Sequence, residues 1–289
     1  SVEEGAEFVI ALLDALGMGK ISVGPPYFDN VFMPLMAPTV FLMGIGPMAR
    51  WKEADVPALA KRLRWALGVT VVAAISTGLL AGEIHLLATC GLLMAYWIFT
   101  SVATDLWERI QPEGRGLTEI RRKWRQLPRA LIGMMVAHIG VAVFTFGVVM
   151  VKTYEVESDV KMNVGDSTTV RGYTFTFKGV REIKGPNYVA AQGQMEITRG
   201  RDRIAELQPE KRVYRVQQNP MTEAAISTGL TRDLYVSMGE QVDDGAWIVR
   251  VYVKPFIDWI WGGCMLMALG GLMAVSDRRY RRKQKVATA

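Results

Sequence analysis

The sequence predicts an α-helical membrane protein of about five transmembrane helices, with an inserted all-β extracytoplasmic domain of barrel or sandwich type. Three observations carry this. Half of the 289 residues are hydrophobic and the mean hydropathy is positive. Five stretches are apolar enough to cross a hydrocarbon core of roughly 30 Å, which takes about 20 helical residues. Between the last two of them, about 100 residues change character to β-branched and aromatic side chains in alternation.

The elements follow in chain order. Residues 1–30 form an outer-side segment containing "GPPYF", and its opening "SVEEGAEF" shows neither a basic n-region nor an apolar h-region, so no cleavable leader is expected there. The first span, 31–48, contains Pro34, Pro38 and Pro47, each of which removes a backbone donor and favours a kink or a break. Spans at 65–81, 84–103 and 130–151 follow, and the last covers 255–275. The first four carry no Asp, Glu, Lys or Arg, and the fifth carries only Asp258. Cys90 and Cys264 both fall inside spans and form no CxxC pair, so thiol exchange is not this chain's own chemistry.

Topology comes from the cations. Arg50 to Arg64, Arg109 to Arg129 and the basic tail 276–289 hold 18 of the 34 Lys and Arg residues, and the positive-inside rule puts all three on the cytoplasmic side. Stop-transfer flanks explain these arginines, so no nucleic-acid partner is implied. The inserted domain, 152–254, then lies outside. Its runs "TTVRGYTFTFKGV", "NYVAAQGQMEIT", "RVYRV" and "AWIVRVYVK" read as strands, separated by turn signals such as Gly185-Pro186-Asn187. It has no Cys or His, and its 15 basic residues nearly balance 14 acidic ones, which suits support or interaction better than catalysis. Trp259 and Trp261 stand where interface anchors belong; contact with a planar ligand or a quinone is the alternative.

His138 sits deep in the fourth span, where an ionisable side chain is costly unless partnered. Gly133, Gly140 and Gly147 recur every seven residues on the opposite face, which suits close approach of another helix. The imidazole face carries Met134, Val141, Ala142 and Thr145 and looks into apolar surroundings. Three readings stay open: a histidine hydrogen-bonded to a neighbouring helix, a proton relay, or an axial ligand of a haem iron. His85, the other histidine, falls at the outer edge of the third span, roughly 20 Å away at 1.5 Å per helical residue, so the two cannot clamp one iron.

Four stretches resemble the C-terminal part of the CcmF family of cytochrome c-type biogenesis proteins and its nitrite-reductase-associated relatives. They are "GKISVGPPYFDNVFMP", "LPRALIGMMVAHIGVAVFTFGVVM", "VYRVQQNPMTEAAISTGLTRDLYVSMGE" and "KPFIDWIWGGCMLMALGGLMAVSDRRYRR". The resemblance implies a multi-pass protein of the bacterial inner membrane with a periplasmic β domain, acting in haem attachment to c-type cytochromes. It implies a b-type haem in the membrane, with His138 as one axial ligand and the second ligand outside this chain, and a quinol as possible electron donor.

The implied partners are the N-terminal portion of the same protein, CcmH and CcmI, holo-CcmE, apocytochrome c and membrane lipid. The tryptophan-rich motif and the outer-face histidines of the family are missing. On this reading the chain is a C-terminal portion, inactive alone, of an intact haem lyase. A non-catalytic scaffold for cytochrome assembly, or a haem-binding subunit of a respiratory membrane complex, are the alternatives.

Overall fold

The computed structural model describes residues 31–48, 56–113, 116–216, 218–242 and 245–277. The "GPPYF" segment, and the tail from residue 278 onward, lie outside the described residues. Six α-helices occur among them: α1 Met33–Ile45, closed by the 3-10 turn Gly46–Met48, α2 Val56–Ala81, α3 Leu86–Ile110, α4 Leu117–Gln126, α5 Arg129–Tyr154 and α6 Ile257–Val275. Four of them, Pro57–Ala81, Leu86–Ile110, Arg129–Tyr154 and Ile257–Val275, are long and apolar enough to cross a membrane. Met33–Met48 is apolar but shorter. Its prolines explain why: Pro34 occupies the first turn, where a missing donor is harmless, Pro38 lies inside the helix, and Pro47 falls in the tighter turn that ends it.

Helices outrun the charge-free windows seen in the sequence. α2 starts early enough to include Lys61, Arg62 and Arg64, and α3 continues past residue 103 through Asp105 and Arg109. Arg62 pairs with Glu108 across these two helices, and Arg109 holds Asp105 one turn back at 2.9 Å. Long basic side chains keep their charge at the interface while their stems cover apolar surface. Deeper in the pair, hydroxyls meet: Thr70 with Thr100 at 2.8 Å and Thr77 with the Tyr96 phenol at 2.7 Å. α1 packs on α3 through Trp97, whose indole N–H donates to the Phe41 carbonyl at 3.0 Å and whose ring stacks on Phe41.

The closest helix pair is α5 with α6. A Cβ added to Gly140 would lie 2.7 Å from the Met267 amide nitrogen and 2.8 Å from the Gly263 carbonyl oxygen, and one added to Gly147 would lie 2.9 Å from the Ile260 nitrogen. Gly263 meets the Phe144 backbone in the same way, and Gly270 faces Gly133 and Ala137. The seven-residue glycine spacing read in the sequence is this seam, with Gly263 and Gly270, also seven apart, supplying the other side. Asp277, just past α6, accepts from the Ala130 amide at 3.0 Å and ties the far ends of the two helices together.

After Tyr154, with only Glu155 between, the chain enters a sandwich of two antiparallel sheets. Its strands are β1 Val156–Met162, β2 Ser167–Val170, β3 Tyr173–Lys184, β4 Tyr188–Arg199, β5 Asp202–Leu207, β6 Glu210–Tyr214, β7 Pro220–Glu223, β8 Ala225–Ser227, β9 Arg232–Gln241 and β10 Trp247–Pro255. One sheet runs β1-β10-β9-β8, and the other β2-β3-β4-β6-β7 with β5 also on β4. Alternation explains the inward set: Tyr173, Phe175 and Phe177 of β3 and Val249, Val251 and Val253 of β10 meet Met162, Met195, Ile197, Leu234 and Val236 in one core. The outward face of β1 and β10 is charged, with Arg250 bidentate to Asp159 at 2.6 and 2.7 Å and the Tyr252 hydroxyl donating to Glu157 at 2.8 Å. Hence the β domain is a sandwich, not a closed barrel.

Candidate functional site

His138 lies on α5, the central helix of the bundle: no residue from Ala130 to Val151 is exposed. Its glycine face is filled by α6. The residues one turn to either side on the imidazole face, Met134, Val141 and Ala142, pack with Val40 and Met43 of α1 and Ile98 and Val102 of α3. The histidine itself is half-buried.

Its Nδ1 lies 2.8 Å from the Met134 carbonyl oxygen, one turn back. A carbonyl oxygen only accepts, so Nδ1 carries the proton and Nε2 presents a lone pair. The bond to Met134 is the one hydrogen bond of His138 among the described residues, and it does not involve Nε2. An imidazole whose distal N–H is tied to a backbone carbonyl is oriented and made more basic at the other nitrogen, the arrangement in which histidine ligates metals. Among the described residues no three His, Cys, Asp or Glu side chains converge, so this site offers one strong donor and would need a second from elsewhere to complete an axial pair.

The other predicted residues fall elsewhere. His85 caps α3, lies 3.1 Å from the Glu83 carboxylate and tilts against the ring of Tyr154 at 5.9 Å. Tyr154 is sixteen residues beyond His138 on α5, roughly 24 Å along the axis, so the two imidazoles do not share a site. The two tryptophans part company. Trp261 is 69% exposed, whereas the Trp259 indole N–H donates to the Leu230 carbonyl at 2.9 Å and its ring meets Phe146 and Phe256, joining α6 to the sandwich. Asp258 is in the first turn of α6, where the helix dipole favours a negative charge. Cys90 and Cys264 are exposed and unpaired.

Sequence reasoning missed three buried carboxylates, Asp105 at 3% exposure and Asp233 and Asp277 at 6% each. The i,i+4 spacing of Asp105 and Arg109 was a visible signal. Asp277 bonds across 147 residues of chain, which no local pattern reveals.

Comparison with known proteins places this architecture. A family model described as the CcmF C-terminal beta-sandwich matches residues 153–255. The chain is 41% identical over 276 residues to the cytochrome c-type biogenesis protein CcmF of Pseudomonas fluorescens, covering 95% of this chain and 41% of that protein. The chain belongs to the CcmF family. It is also 39% identical over 276 residues to CcmF of Escherichia coli (strain K12), covering 93% of this chain and 40% of the relative. The cytochrome c-type biogenesis protein NrfE of Haemophilus influenzae is 32% identical over 287 residues, 96% and 42% of the two chains. A solved cytochrome c heme lyase CcmF shares the fold, with a TM-score of 0.70 at 23% identity over 93% of this chain and 42% of that one. This CcmF-family chain therefore carries the family's C-terminal portion and spans about two fifths of the length of the relatives it matches. It is a multi-pass membrane protein by its four spanning helices and its family.

Proposed function

We propose that the chain serves c-type cytochrome maturation as the C-terminal part of a haem lyase in the bacterial inner membrane, with its β-sandwich in the periplasm and His138 as one axial ligand of a b-type haem. The observation that carries the ligand assignment is the hydrogen bond from Nδ1 to the Met134 carbonyl, 2.8 Å long, which leaves Nε2 as a lone-pair donor on a helix whose neighbouring residues Met134, Val141 and Ala142 belong to an apolar cluster. Family membership supports the pathway, because the relatives are cytochrome c-type biogenesis proteins.

On this reading each part of the chain has a task. The α5–α6 seam holds His138 at fixed depth, the Met134 carbonyl fixes the plane of its ring, and the apolar cluster with α1 and α3 packs the helix on either side of it. A bound haem supplies one-electron redox chemistry there. The second axial ligand comes from the N-terminal portion of the protein, and a quinol is the electron donor. CcmH, CcmI, holo-CcmE and apocytochrome c are the partners, met on the sandwich side.

The test is the absorption spectrum of the intact protein purified with and without His138→Ala. The substitution is expected to abolish most of the low-spin b-type spectrum, and added imidazole to restore part of it. A mutant that keeps the full spectrum removes the assignment.

A further inference from the structure

The end of the β-sandwich that meets the membrane carries three arginines that form no ion pair among the described residues. Arg232 opens β9 directly opposite Pro255, two residues before α6 begins. Arg199 closes β4, and Arg171 occupies the β2–β3 turn at a φ of 48°. Two of them converge on one ring: the guanidinium carbons of Arg199 and Arg232 lie 5.2 and 5.1 Å from the centroid of Tyr173, and both donate to its hydroxyl oxygen, at 3.5 and 3.1 Å. Arg171 is two residues before Tyr173 and within electrostatic reach of Tyr154, the last residue of α5. All three cations therefore gather where α5 and α6 leave the bilayer.

Other arginines of this domain do meet carboxylates. Arg203 pairs with Glu206 and Glu196, Arg212 with Glu210, and Arg250 with Asp159 and Glu157. Among the described residues Arg171, Arg199 and Arg232 form no ion pair; Asp233, next to Arg232, turns instead to the Gly229 amide at 3.1 Å. The same loop exposes an apolar side chain, Leu230, at 77%, and its carbonyl is gripped by Trp259. Unpaired guanidinium groups match phosphate oxygens in a planar fork, and the tryptophans mark this level as the headgroup region.

We propose that Arg171, Arg199 and Arg232 form a collar that binds the phosphates of anionic phospholipids in the leaflet beneath the β-sandwich, with Leu230 set among the upper acyl carbons. The collar fixes the sandwich against the bilayer surface. A soluble anion would not need the neighbouring apolar side chain or the position between two emerging helices, which is why a lipid is the occupant.

Native mass spectrometry of the purified full chain in detergent, titrated with phosphatidylglycerol or with phosphatidylcholine of the same acyl chains, tests this. Phosphatidylglycerol is expected to bind more tightly. The Arg171→Gln/Arg199→Gln/Arg232→Gln variant is expected to bind it at least tenfold more weakly, from roughly fivefold per surface arginine. Arg181→Gln/Lys184→Gln/Arg215→Gln removes the same charge from the far end of the sandwich and is expected to change nothing. Arg171→Gln alone, which spares the contacts with Tyr173, keeps the measurement readable if the triple variant does not fold, and is expected to lose about fivefold. Equal binding of the two lipids, or undiminished phosphatidylglycerol binding by the collar variants, overturns the proposal. So does displacement of the lipid by millimolar inorganic phosphate, which would mark a free-anion site.

Discussion

His138 donates its Nδ1 proton to a carbonyl of its own helix, so Nε2 is the nitrogen left to offer a lone pair. The sequence revealed the histidine and its apolar face, because both follow from 100° per residue. It did not reveal the tautomer, which depends on the rotamer that brings Nδ1 to the Met134 carbonyl. Asp233 is settled differently. Burial raises its pKa above the ordinary carboxylate value, with nearby Asp258 acting the same way, while the Gly229 amide and Arg232 oppose the shift. The folded state therefore favours the protonated acid. Its contribution to stability is complete below the unfolded carboxylate pKa of about 3.9 and is lost as pH rises through the higher folded value. Asp233→Asn keeps an oxygen for the Gly229 N–H and carries no charge. It is expected to raise the melting temperature at pH 7, with the gain shrinking toward pH 4, in thermal unfolding followed across that range.

At the scale of elements, the glycine seam decides how α5 and α6 lie. A side chain at Gly140 meets backbone atoms of α6, which cannot rotate away as a side chain could. Gly140→Leu is expected to cost about 3 kcal/mol or more, as overpacking does, seen as a lower melting temperature in detergent. Gly271, on the same helix pair but with open space around it, makes the opposite case: Gly271→Ala is expected to stabilise α6 by about 0.5–1 kcal/mol. The seven-residue glycine spacing was legible in α5, but not its partner, because a small-residue face announces close approach without naming the helix that comes. Strands β3 and β10 were legible from alternation. β9 was not, since Asp233, Leu234, Val236, Ser237 and Met238 are all buried, and a central strand covered on both faces loses its two-residue rhythm. β7 and β8, four and three residues long, carry too short a pattern to read.

The whole molecule divides cleanly into a helical bundle and a sandwich whose core, from Met162 to Val253, draws on no helix residue. Residues 153–255 alone are therefore expected to fold cooperatively in water, shown by a sharp thermal transition with near-ultraviolet dichroism; a molten, non-cooperative melt would count against a self-contained core. The division itself was visible in composition, as an abrupt change from charge-free runs to alternating ones. The pairing of β1 with β10 was not, because these strands come from opposite ends of the domain, Val156 beside Val253 through Met162 beside Trp247. That pairing sets a timetable for biosynthesis. As the chain emerges, β1 is made first and waits beside α5 with an open edge while all the strands between are synthesised, since its only neighbour in the sheet is the last strand. When β10 arrives, it closes that edge and delivers α6 to the waiting glycines of α5. A ribosome stalled just before Trp247 would thus hold a protein with most of its strands made, yet with both its four-stranded sheet and its central helix pair unfinished.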